Sequence, residues 1–273
     1  MLNEPDKQSE NEPVEVRCYF VRERNALLVR AQFTPLFTDY YLHLMQHKIR
    51  YEGESDLLLK NTLSALTLHL ASRPWGEAAA WTLNFQDPLI NVFATGSNRS
   101  GTLTGRVFDE SVKKADKQTF HAQITEDGGS LRKSVIEIKG LDAFRAVEEF
   151  YKQSEQRRAR LFELEEEDLV MITAQPQCDM EWFDALDLEA VKNIDQSETL
   201  SLLEKRVYRF DCGCSEEKFF NRLENLTPDD VDHVFSKEGF AEVICPRCGA
   251  KVILSREHFA AYISKIDNEK EEQ

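Results

Sequence analysis

Apolar residues crowd the stretch "VEVRCYFVRERNALLVRAQF", which is dense in Val, Phe, Tyr and Leu. It predicts a strand, a turn at Arg24-Asn25 and a second strand. In "TPLFTDYYLHLMQHK" the apolar residues recur at helical spacing instead. That predicts a helix, with Thr38 or Asp39 as its cap. A second helix is expected from Asp56 to Ser72, ending ahead of Pro74 as helices do before proline. "AAWTLNF" and "LINVFATGS" read as strands, "SNRSG" as a turn and "TLTGRVF" as the returning strand. "TFHAQIT" and "KSVIEIKG", joined by "EDGGS", predict a further hairpin. "LDAFRAVEEFYKQSEQRRARLFEL" begins as an amphipathic helix with Phe144, Val147 and Phe150 on one face. "DLVMITAQP" reads as a buried strand.

These elements define an α+β protein: a mixed core domain with β-hairpins and packed helices, an acidic helical linker, and a small C-terminal zinc-binding domain. The expected bounds are a disordered tail over 1–13, the core over 14–177, the linker over 178–204, the zinc module over 205–265 and a second disordered tail over 266–273. The linker carries acid and oil together. It includes Trp182, Phe183, Leu186, Val191 and Ile194, so it is too apolar for an inert tether. It reads as helices that dock on something with limited stability, or more simply as a solvated connecting helix pair.

Charge sharpens this division. The chain of 273 residues has a net charge of −15. From Leu161 to Leu200 twelve acidic residues face one lysine, Lys192, whereas Lys205 to Lys265 holds ten acidic and ten basic residues. A strongly acidic chain repels nucleic acid and anionic lipid. The polar, acidic start has neither a secretory nor a transit pattern, and no apolar run reaches the roughly 20 residues of a membrane helix. A cytoplasmic protein is expected.

The chemistry lies in the cysteines. Four of the six cluster late: Cys212 and Cys214 around Gly213, then, after a gap of thirty residues, Cys245 and Cys248 in "CPRCG". Two short thiol pairs separated by a loop are the standard way to close a tetrahedral zinc site. Gly213 permits the kink that turns both neighbouring sulfurs inward, and Gly249 can take the positive φ that ends the second turn. Ser215, with Glu217 in the following turn, is a plausible helix start. With four thiols present, His233 and His258 read as surface residues, and so do His43 and His47. Cys18 reads as a small buried hydrophobe. Cys178, beside Asp179, is expected to have a raised thiol pKa. Zinc here is either purely structural or a switch, since zinc-held thiolates are also what oxidants attack.

The C-x-C and C-x-x-C pairs resemble the thirty-three-kilodalton heat-shock protein family of redox-regulated holdase chaperones. "YKQSEQ", "LSALTLHLA", "WTLNFQDPLINVFATGSNRSGTLTGRVF" and "FDCGCSEEKFFNRLENLTPDDV" are similar to stretches of that family. The resemblance covers about Val14 to Phe259 and is most specific in the cysteine module. It implies one zinc per reduced chain on Cys212, Cys214, Cys245 and Cys248, with oxidation forming the disulfides Cys212–Cys214 and Cys245–Cys248 and releasing the metal. It further implies binding of unfolding client proteins without ATP, and a homodimer when oxidised. Two departures stand out. The segment before Cys212 is shorter than the family's usual linker, and the glycine pair that commonly precedes the last core strand is missing from "EDLVMITAQP".

The rival class is an α+β protein whose zinc ribbon is purely structural and binds nucleic acid or protein. The neutral module argues against nucleic acid, which needs a basic face. Enzyme motifs such as G-x-S-x-G, the P-loop and H-E-x-x-H are absent, so no catalytic residue and no enzymatic activity are expected. No nucleic-acid or membrane partner is expected either.

Overall fold

A computed structural model describes residues 12–235 and 239–271. The tail expected over 1–13 therefore lies outside the described residues up to residue 11. The chain opens with β1 (Val14–Val21) and β2 (Ala26–Gln32), then α1 (Thr34–His47) and α2 (Gly53–Ala71). The strands β3 (Ala78–Gln86), β4 (Leu89–Ser97), β5 (Thr102–Phe108), β6 (Thr119–Thr125) and β7 (Leu131–Glu137) follow. Next come α3 (Ala143–Gln153), β8 (Ala159–Glu163) and β9 (Asp168–Ala174). Three short helices, α4 (Met180–Ala185), α5 (Leu188–Lys192) and α6 (Ile194–Ser197), lead into β10 (Leu200–Phe210). The C-terminal module comprises α7 (Glu216–Leu223), α8 (Pro228–Val234), β11 (Phe240–Ile244), β12 (Lys251–Ser255) and α9 (Arg256–Glu271).

Ten strands form one mixed sheet in the order β7-β6-β3-β4-β5-β10-β1-β2-β9-β8. Its inner face carries the main core. There α2 is buried along nearly its whole length, from Leu58 to Ala71. The hydroxyls of Thr62 and Thr67 donate back to the carbonyls of Leu58 and Leu63 at 2.7 Å, so this all-round buried helix leaves them no unmet donors. Alternation along each strand sends the other residues to the outer face. In β9, Leu169 and Met171 point into the main core, while Val170 and Ile172 join Val21, Ala26, Leu28 and Phe162 on the far side. That second apolar patch is covered by Phe183, Leu186, Val191 and Ile194 from α4–α6. Helices of four to six residues are not stable alone. They hold their shape because this sheet face receives them.

Several expectations need correction. The boundary placed at 204/205 falls inside β10, which pairs with β1 over its length and touches β5 in parallel through Arg209 and Phe210. The core sheet therefore extends to Phe210, well past the expected bound at 177. The C-terminal tail expected from 266 is helical through Glu271, as the end of α9. Thr38 and Asp39 lie inside α1, which starts at Thr34-Pro35. Glu166 and Glu167, in the β8–β9 turn, take φ of 58° and 61°, the left-handed region that glycine enters freely. A side chain there costs on the order of 1 kcal/mol per residue. Glu167 offsets part of this by accepting from Lys60 Nζ at 2.9 Å and Thr34 Oγ1 at 2.8 Å.

One buried polar pair links the sequence pattern to stability. His69, on α2, is fully buried, and its Nδ1 lies 2.7 Å from the Tyr151 hydroxyl. Burial first, then the nearby Arg73, Arg157 and Arg132, hold its pKa well below the ordinary value. The folded chain thus keeps His69 neutral where the unfolded chain takes up a proton, so stability is lost as pH falls below about 6.5. Between pH 7.5 and 5.5 this amounts to about 1.4 kcal/mol. Urea unfolding followed through core tryptophan fluorescence should show that excess loss in the native chain and not in His69→Phe. Equal losses in both would exclude His69 as the source.

Candidate metal centre

Cys212 and Cys214 lie in the loop between β10 and α7, and Cys245 and Cys248 in the turn between β11 and β12. Local chemistry shapes both turns. Gly213 has φ of 58°, the kink that allows two neighbouring sulfurs to point the same way, and its N–H donates to Asp211 Oδ1 at 2.7 Å. Ser215 caps α7 by accepting from the Lys218 amide. In the second turn Gly249, at φ of 78°, donates its N–H to the Cys245 carbonyl at 2.9 Å, and the Cys245 amide donates to the Ala250 carbonyl at 2.8 Å. The four sulfurs converge until all lie within 4.8 Å of one another. Cys212, Cys245 and Cys248 are buried and Cys214 is half-buried.

Metal geometry can be tested against these distances. A tetrahedral ion with metal–sulfur bonds of about 2.3 Å spaces its sulfurs about 3.8 Å apart. Here Cys212 and Cys245 are 3.7 Å apart and Cys214 and Cys248 are 3.6 Å apart. The residues fit a soft divalent cation with four thiolate ligands. The thiol protons are correspondingly frustrated. The neighbouring thiols, Cys214 first and then Cys248, pull the Cys212 thiol well below its ordinary pKa. Cys214 and Cys248 are pushed up in turn, first by the neighbouring Cys212 sulfur. A bound cation removes that conflict by displacing the protons from all four.

The module docks on the core through two side chains that sequence reasoning did not single out for this role. His43 of α1, read as a helix-surface residue, is instead part-buried, with Nε2 3.2 Å from the Cys248 carbonyl and its ring against Phe210 at 5.2 Å. Arg106 of β5 donates through Nη1 to the Cys245 carbonyl at 3.2 Å. Nothing in the local spacing of either residue points to these contacts, because both form across the fold. His47 stacks beside His43, while His258 faces Glu216 at 3.1 Å and His233 turns back to its own helix. Among the described residues the four cysteines are the group of three or more His, Cys, Asp or Glu side chains close enough to hold an ion. Cys18 is buried in β1 and its thiol is pushed up to about 11, first by burial; Cys178 is raised by burial as well.

Comparison with known proteins sets this geometry in context. A family profile described as "Hsp33 protein" matches residues 162–255, which takes in the linker helices, β10 and the whole thiol cluster. The "33 kDa chaperonin" of Photorhabdus laumondii is 25% identical over 260 residues, covering 83% of this chain and 89% of that protein. Those of Acholeplasma laidlawii and Synechocystis are 33% and 35% identical over shorter matches of 76 and 72 residues. These last matches span about a quarter of each relative, 26% and 24% of their lengths. The solved structure of the 33 kDa chaperonin from Thermotoga maritima superposes with a TM-score of 0.69 at 13% identity, covering 94% of this chain and 99% of that one. Its identity is low, so it speaks for the fold alone. The structure itself defines an α+β core joined to a clustered-cysteine module. The chain is thus similar to the 33 kDa chaperonins over its linker helices, β10 and thiol cluster, and shares the fold of the Thermotoga maritima protein.

The module's own apolar core is small, centred on Phe220, Phe235, Leu254 and Phe259. Metal binding energy, on the order of 10 kcal/mol for a structural zinc site, would then be folding energy for the module. Chelation or Cys248→Ser should abolish amide-exchange protection across β11, β12 and α9 while β1–β5 stay protected. Persistent protection of β11 and β12 in the metal-free chain would rule out the metal as their organiser.

Proposed function

We propose that this chain is a redox-regulated, ATP-independent holdase. In the reduced form one zinc ion is held by Cys212, Cys214, Cys245 and Cys248. Peroxide oxidation forms the disulfides Cys212–Cys214 and Cys245–Cys248. For each, two thiols lose two electrons and one peroxide is reduced to two waters. Zinc then leaves, because a disulfide sulfur carries no charge to offer it. The pairing within each turn rests on the family resemblance; the sulfur contacts at 3.7 Å and 3.6 Å, Cys212–Cys245 and Cys214–Cys248, run between the turns.

The observation that carries this reading is the position of α4–α6. They lie over an apolar sheet face and continue through β10 directly to Cys212. Without metal the module loses its organiser, and Phe210, packed between the rings of Tyr40 and His43, loses its neighbour in the chain. The short helices let go and uncover Val21, Leu28, Phe162, Val170 and Ile172. Such a patch holds unfolding client proteins, and two oxidised chains can share it as a homodimer. On this reading residues 178–199 act as the metastable linker, in a cytoplasmic protein without nucleic-acid or membrane partners. No described helix is long and apolar enough to cross a membrane.

The test is direct. The oxidised, zinc-depleted chain should suppress light scattering by a thermally unfolding client at stoichiometric ratio, and the reduced zinc form should not. Peptide mapping of the oxidised chain should recover both disulfides within their turns. Zinc retained after peroxide, or equal activity of the two forms, would exclude the switch.

A further inference from the structure

The linker does more than cover an apolar face: its acids are read by arginines that surround that face. Arg24, in the β1–β2 turn, donates to Asp179 at 2.7 Å and to Glu198 at 3.1 Å. Asp179 opens α4 and Glu198 closes α6, so a single guanidinium ties both ends of the segment. The same turn repeats the grip through its backbone. The Asp179 amide donates to the Arg24 carbonyl at 3.0 Å, and the Arg22 amide donates to the Thr199 carbonyl at 3.0 Å. Arg24 also lies 5.7 Å from the centre of the Trp182 ring. Just before β8, Arg158 pairs with Asp184 at 2.6 Å and sits over Phe183 at 5.4 Å. Its neighbour Arg160 donates to the carbonyls of Phe183, Asp184 and Leu186 at the end of α4. One contact has the opposite sense, Lys192 to Glu165 at 3.0 Å, between well-exposed groups.

We infer that the uncovered surface selects client segments built like the linker, with apolar residues flanked by carboxylates. The inference rests on the proposed release of α4–α6. Once they leave, Arg24, Arg158 and Arg160 stand unpaired at the rim of the patch formed by Val21, Leu28, Phe162, Val170 and Ile172. The apolar floor takes two or three large side chains without choosing among them. The guanidinium rim adds the choice. Arg24 and Arg158 take carboxylates in the paired geometry now made with Asp179, Glu198 and Asp184, while Arg160 takes backbone carbonyls. Flanking lysines would meet like charge in the same places. The linker is thus both cover and template, and a client must resemble it to displace it.

Three labelled peptides test this on the full chain. One has the sequence of residues 179–199. In the second, Asp179, Asp184 and Glu198 are replaced by Asn, Asn and Gln, and in the third all three are replaced by Lys. Fluorescence anisotropy with the oxidised, zinc-free protein should show the acidic peptide binding about tenfold more tightly than the neutral one, as three partly exposed pairs allow. The difference should vanish in 1 M salt, and Arg24→Glu with Arg158→Glu should reverse the order in favour of the lysine peptide. Equal binding of the three peptides to the oxidised chain would overturn the selectivity and leave the release intact. Failure of all three to prefer the oxidised over the reduced chain would overturn the release itself. The salt dependence in the native chain keeps the test decisive even where the double variant folds poorly.

Discussion

Four sulfurs within 4.8 Å of one another cannot all carry charge unless a cation sits among them. The whole C-terminal module is built around that constraint. Both turns use a glycine at positive φ, Gly213 and Gly249, to aim the thiols inward. Hydrogen bonds from His43 and Arg106 then fix the carbonyls of Cys248 and Cys245, the backbone that carries two of the sulfurs. A change of charge at the sulfurs therefore acts on the seam between module and core. The small cluster around Phe220 and Phe259 adds too little apolar surface to hold the module by itself.

That seam is joined to the linker by a single strand. Along β10 the chain passes from Leu200, against the outer apolar patch, to Phe210, in the main core, and two residues later reaches Cys212. The strand is well held by β1, over eight paired positions, and only lightly by β5, over two. Arg206 adds a further anchor. It is buried, donates to the Leu70 carbonyl at the end of α2 and lies 4.4 Å from the centre of the Trp75 ring. The coupling path is thus a β-strand with a strong edge and a weak edge, and the weak edge faces β5, which carries Arg106.

Much of this was legible from sequence, for identifiable reasons. The β1–β2 turn and the β3–β5 meander announce themselves through dense β-forming residues between turn residues. The four cysteines need no fold to be noticed. What was lost depended on distant neighbours. In β10, "LSLLEKRVYRF" mixes charge and oil, because Lys205 and Val207 point outward while Arg206 is buried against α2. A buried arginine hides the alternation that marks a strand, so the segment looked like linker and module. The end of α9, from residue 266, reads as a tail because it is charged, and the helix is anchored further back by the tertiary contacts of Phe259 and Tyr262 with Phe220. His43 looked like a surface residue because its partner lies 205 positions away.

The acidity of the linker, which in the sequence only marks off the segment from the neutral module, acquires a structural reason. A purely apolar cover would bind the sheet face too firmly to leave and would aggregate once released. Carboxylates at Asp179, Asp184 and Glu198 position the three short helices through pairs that are part-exposed and weak individually. They supply register more than binding energy, and under the proposed release they would keep the freed segment soluble. The strained turn at Glu166 and Glu167 follows the same economy, since its acid reaches Lys60 and Thr34 and ties the β8–β9 hairpin to α1 and α2. Carboxylates here act as weak, part-exposed fasteners on an apolar surface, the arrangement that the proposed release of the cover would use.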